Sequence, residues 1–164
     1  MAAEIISQYL DTLGTGLGTT NATGNYSSSA EIFYFEASRG ETAIERMIVS
    51  IEDGQNMRAE HYGTLGGALT NGVIVRHVRA NGDVLIDFTG GVPVTQNGLW
   101  GSLCYDVDVK AWGAGNELLL VRWTFAKSGI PVKLLVGDRL EVVLNDNFTG
   151  LVTHRFLVQG FWPA

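Results

Sequence analysis

The sequence predicts an all-β fold: an antiparallel β-sandwich, jelly-roll-like, with an extended N-terminal arm. Three observations predict it. From Ala30 onward, short β-branched and aromatic runs are separated by turn residues, with no sustained helical period. Several runs alternate, so that Leu119, Val121, Trp123 and Phe125 share one face, as do Leu140, Val142 and Leu144. Alternation of this kind belongs to antiparallel sheets with one buried face. Finally, the 21 glycines fall mostly between the runs, where they act as turn residues. A closed barrel is the nearest competing architecture. At 164 residues, 46% of them hydrophobic, the chain can bury one substantial core.

Taken in order, residues 1–29 differ in composition from the rest. Ala2 to Leu13 spaces Ile5, Ile6, Tyr9, Leu10 and Leu13 near one face of a short amphipathic helix, which Gly14, Gly16 and Gly18 stop. Thr19 to Ser29 then reads as a flexible Thr/Asn/Ser/Gly linker, with Ala22 and Tyr26 as its only residues to bury. Fully extended, residues 1–29 would reach on the order of 90 Å, and they read either as a disordered tail or as an arm that docks on a neighbour. Residues 30–164 form the sandwich domain, with strands expected at Glu31–Ala37, Ile44–Ile51, Val73–Arg79, Val84–Thr89, Leu103–Val109, Leu118–Ala126, Val132–Val136, Leu140–Leu144 and Leu151–Val158. Asn81-Gly82-Asp83 is the strongest hairpin signal, because Asn-Gly tolerates the positive φ values of a type I′ turn.

Composition excludes several function classes. The net charge is −6 with only three lysines, so nucleic acid is not an expected partner. No basic leader with an apolar core precedes the domain, and the long uncharged stretches are polar or glycine-broken, so no membrane contact is expected. Cys104 stands alone, which removes a disulfide scaffold. His61, His77 and His154 have no metal-ligand spacing, and Asp106, Asp108, Asp138 and Asp146 do not converge in a calcium loop. We therefore expect no metal and no cofactor. His154 lies on an apolar face with Phe156 and Val158 and reads as a buried histidine donating to a neighbour. Gly14-Thr-Gly16-Leu-Gly18 follows no strand and opens no helix, and no G-x-S-x-G occurs, so no catalytic residue is assigned and no enzyme is expected.

Aromatic residues are the candidates for contact with something else. Trp100 and Trp112 sit in glycine-rich loops and are the tryptophans that can be presented outward, to a ligand or to an interface. Trp123 and Trp162 belong to strands and are assigned to packing. Tyr26 and Tyr9, in the N-terminal segment, are the other candidate ligand or interface contacts.

Ile44-Glu45-Arg46-Met47-Ile48-Val49-Ser50-Ile51-Glu52-Asp53, with Tyr62-Gly63, Leu69-Thr70-Asn71-Gly72, Tyr105-Asp106-Val107-Asp108 and Leu144-Asn145-Asp146-Asn147-Phe148-Thr149-Gly150, resembles small all-β structural proteins of tailed bacteriophages. The resemblance spans roughly residues 31–160. It implies a virion location, capsid or other virion proteins as partners, and a homo-oligomer such as a trimer, in a decoration, cement or head or tail appendage role. It carries no catalytic residues over. A carbohydrate- or receptor-binding β-sandwich using Trp100 or Trp112 is the alternative.

Overall fold

The structure is a computed structural model that describes residues 3–53, 61–63, 65–89, 105–111, 117–125 and 130–163. Ten strands lie within them, and among the described residues there is no α-helix. They are β1 (Glu4–Tyr9), β2 (Glu31–Glu36), β3 (Thr42–Asp53), β4 (Val73–Val78), β5 (Val84–Asp87), β6 (Tyr105–Ala111), β7 (Glu117–Thr124), β8 (Val132–Leu134), β9 (Arg139–Leu144) and β10 (Thr153–Trp162).

They form two antiparallel sheets. The first runs β1-β10-β3-β7-β6, with β8 also on β3, and the second runs β2-β9-β4-β5. β7 and β8 share one edge of β3: β7 pairs with Arg46–Asp53 and β8 with Thr42–Ile44. The orders β1-β10-β3-β8 and β2-β9-β4-β5 are those of a jelly roll, and the β6–β7 pair widens the first sheet. The predicted fold class therefore stands.

Alternation puts one face of each sheet into the core. Ile6, Met47, Val49, Ile51, Val121, Trp123, Phe156 and Val158 face inward from the first sheet; Phe33, Phe35, Val73, Val75, Leu140, Val142 and Leu144 answer from the second. All are at most 2% exposed, so they exclude water from the space between the sheets.

The N-terminal segment departs from its expectation. Residues 4–9 are a strand, not a helix, paired with β10 from Glu4↔Trp162 to Tyr9↔Leu157. A free edge of β10 offers six residues a ladder of hydrogen bonds, whereas an isolated helix so short is marginal in water. The glycine-rich stretch after it is pinned rather than loose. The Asp11 carboxylate accepts from the backbone N–H groups of Leu13, Thr15 and Gly18, while the Asp11 and Tyr34 backbones pair with each other. Gly14, at φ +74°, packs so tightly that a Cβ would overlap the Tyr34 ring. Further on, the Ala22 N–H donates to the His154 carbonyl at 2.7 Å, and Asn25 bridges to Asn147. Ala22 and Leu10 are fully buried. The arm is extended, as expected, but it lies along its own sandwich.

Two local features also differ. The hairpin at Asn81-Gly82 forms, but only Gly82 has positive φ, at +92°. Gly82 N–H donates to the Arg79 carbonyl at 2.9 Å and Arg79 N–H to the Asp83 carbonyl at 2.8 Å, a three-residue loop ending in a left-handed glycine rather than a type I′ turn. On the first sheet, Gln159 pairs with Arg46 but Gly160 pairs with Ile44, leaving Glu45 as the extra residue of a β-bulge.

Candidate functional site

Three buried aspartates set the loops between strands. Asp11 holds the 11–18 loop as described above. Asp146 accepts from Asn71 and Gly72 N–H at 3.0 and 2.8 Å, and also from Thr70 N–H, fixing the approach to β4. Asp138 accepts from Leu135 and Ala80 N–H and lies 3.0 Å from His77 Nε2. Burial alone would raise its pKa, but the His77 contact and the two backbone donors outweigh that and lower it from the ordinary aspartate value. These carboxylates are saturated by structural donors, which argues for loop clamps rather than cation ligands. Among the described residues no group of three or more His, Cys, Asp or Glu converges to hold a metal ion.

One end of the core holds a buried polar pair. His154 Nδ1 donates to the Ala22 carbonyl at 2.9 Å, which leaves Nε2 to accept from the Tyr62 hydroxyl at 2.8 Å. The imidazole stacks on Phe148 at 4.9 Å and meets Phe156 edge-on. Burial holds His154 near pKa 4, against a partial rise from the Ala22 bond, and raises the Tyr62 hydroxyl well above 10. Both are neutral at pH 7 and tie the N-terminal segment, the 61–63 segment and β10 together. The expected buried histidine donating to a neighbour is what the structure contains.

The predicted contact residues separate. Trp100 and Trp112 lie outside the described residues. Tyr26 is half-buried in packing: it meets Phe33 and Phe148, each at a ring distance of 6.1 Å, and its hydroxyl accepts from Gly24 N–H. Tyr9 is exposed on the edge strand β1, with the Arg155 guanidinium 5.6 Å from its ring. The structure therefore gives Tyr26 a core role and leaves Tyr9 accessible.

Other surface residues carry more apolar area than these. Val84, Leu85 and Ile86 of β5 are all exposed, at 43 to 50%, on a strand that ends its sheet. On the loop clamped by Asp11, Leu13 is 57% and Leu17 87% exposed. Sequence reading missed these because Leu13 fitted a helical apolar face and Val84–Thr89 an ordinary strand. The signal present was the unbroken Val-Leu-Ile run directly after a hairpin, which lacks the alternation of a half-buried strand.

No family model and no curated protein matches the chain. Among solved structures, a CocE/NonD family hydrolase from Staphylococcus aureus, SACOL2612, is similar at 12% identity and a TM-score of 0.35. The match covers 98% of this chain and 35% of that one, so the chain spans about a third of that protein's length.

Proposed function

We propose that this chain is a structural virion protein of a tailed bacteriophage, which decorates or cements the capsid or forms a head or tail appendage through protein–protein contacts. The observation that carries the reading is exposed apolar side chains held on fixed backbone: Val84, Leu85 and Ile86 on an edge strand, and Leu13 and Leu17 on a loop closed by Asp11. Such side chains favour burial against a partner, and pre-set backbone reduces the ordering cost of contact. The resemblance of residues 31–160 to phage structural proteins supports the same reading. The role needs neither cofactor nor catalytic group and places the chain in the virion as a homo-oligomer.

Size-exclusion chromatography with light scattering, followed by co-sedimentation with capsids, tests it. The expected result is a defined oligomer that associates with capsids and is weakened by Ile86→Lys or Leu17→Asp. A strictly monomeric protein that ignores capsids would overturn it.

A further inference from the structure

The β-bulge opposite Gly160 builds a cleft that the virion reading does not use. In an unbroken strand Glu45 and Arg46 would point to opposite faces of the sheet. The extra residue re-aims them, and both line one cleft of about 380 Å³ with Ile5, Gln159, Gly160 and Phe161. Gly160 is required there, because a Cβ would overlap the Ala43 carbonyl oxygen.

The polar groups of the cleft are not consumed by the fold. Glu45 is exposed and, among the described residues, its carboxylate has no hydrogen-bond or ion-pair partner. Arg46 gives its Nε–H to Gln159 Oε1 at 2.7 Å and, among the described residues, meets no carboxylate. Gln159 orients the guanidinium and leaves its terminal N–H groups free to donate. A carboxylate that only accepts beside a guanidinium that only donates matches neighbouring hydroxyls, each of which can do both. Ile5, 86% exposed, and the half-exposed Phe161 add apolar surface against which the C–H face of a sugar ring can rest. The volume falls at the small end of ligand sites, roughly 300–1,000 Å³.

We infer that this bulge cleft is a binding site for a neutral saccharide, with vicinal hydroxyls donating to Glu45 and accepting from Arg46 and the ring seated on Phe161 and Ile5. The proposal stands apart from the virion role and does not depend on it. Amide chemical shifts of the full chain, titrated separately with glucose, galactose, mannose and N-acetylglucosamine, test it. At least one sugar should give saturable shifts at residues 45, 46 and 159–161. Glu45→Gln and Arg46→Gln should each weaken that sugar about tenfold, as expected for loss of a hydrogen bond to a charged group. Glu45 is solvent-exposed, so its variant keeps the test open even if the Arg46 variant is poorly folded. Three results would each overturn the site: no saturable shift there with any of the four sugars, Glu45→Gln binding as tightly as the parent, or saturation by glycine or alanine instead, which would mark a zwitterion site.

Discussion

His154 is where one residue's chemistry most directly sets a property of the protein. Its folded pKa of about 4 lies below the unfolded value near 6.5, because burial disfavours the imidazolium. The unfolded chain therefore takes up the proton first as pH falls. The stabilisation is complete above about pH 6.5 and is lost progressively down to about pH 4, a change of about 3 kcal/mol. For a chain of this size that lowers Tm by very roughly 6–12 °C. Thermal melts between pH 8 and 4 should show the decline, and His154→Gln should flatten it; an unchanged slope in the variant would place the effect elsewhere. Tyr62 acts at the other extreme, since a folded pKa raised well above 10 contributes stability that is lost as pH rises past the unfolded value. Asp146 makes a separate case. Truncation in Asp146→Ala leaves the N–H groups of Thr70, Asn71 and Gly72 without their acceptor, and the last of these bonds is buried. We expect a loss of about 2 kcal/mol in chemical denaturation. The buried histidine was legible in the sequence from its place among Phe156 and Val158. Its partners were not, because Tyr62 and Ala22 are distant along the chain and meet it only once the sandwich closes.

At the scale of elements, the strands that alternate were legible and the features that break alternation were not. Leu140, Val142 and Leu144 are all fully buried, as their spacing requires. The Glu45 bulge depends instead on which residue lies across from it, and register between β3 and β10 is set by pairing over a separation of more than a hundred residues. Likewise, Ile5, Ile6, Tyr9 and Leu10 satisfy a helical spacing as well as a strand, and the free edge of β10 decides between them. Gly160 gives the element-level prediction. In Gly160→Ala the new methyl meets backbone of Ala43 and Ile44, so β10 and β3 must separate locally. We expect a cost of about 2–3 kcal/mol. Gly66→Ala is the control: among the described residues nothing lies within 4 Å of where its new Cβ would sit, and its φ is not in the left-handed region. It should be neutral within about 0.5 kcal/mol, as for an ordinary surface change. Equal losses in the two variants would mean that packing at the bulge is not what selects glycine at position 160.

For the whole molecule, the consequential question is whether residues 1–29 are an appendage or part of the sandwich. An appendage can be removed without cost to the domain, and the composition of this segment suggested one. The structure instead commits its anchors to the core: Ile6 and Leu10 are at most 2% exposed, and Ala22 bonds to the backbone of β10. Burying two such side chains stabilises by about 3–6 kcal/mol, and β1 also satisfies one edge of β10 along six paired positions. Total stability of a native domain is on the order of 5–15 kcal/mol, so the segment accounts for a large part of it. Deletion of residues 1–10 should therefore give a chain that lacks a cooperative thermal transition, or melts about 6–24 °C lower by the usual scaling of Tm with stability. Circular dichroism on the deleted and full chains measures this directly. A truncated protein that melts like the parent would restore the reading of a detachable arm. If the expected loss is seen, the proposed partner contacts fall to surface the fold leaves over, and the β5 edge, the Leu13–Leu17 loop and the bulge cleft are the places to substitute.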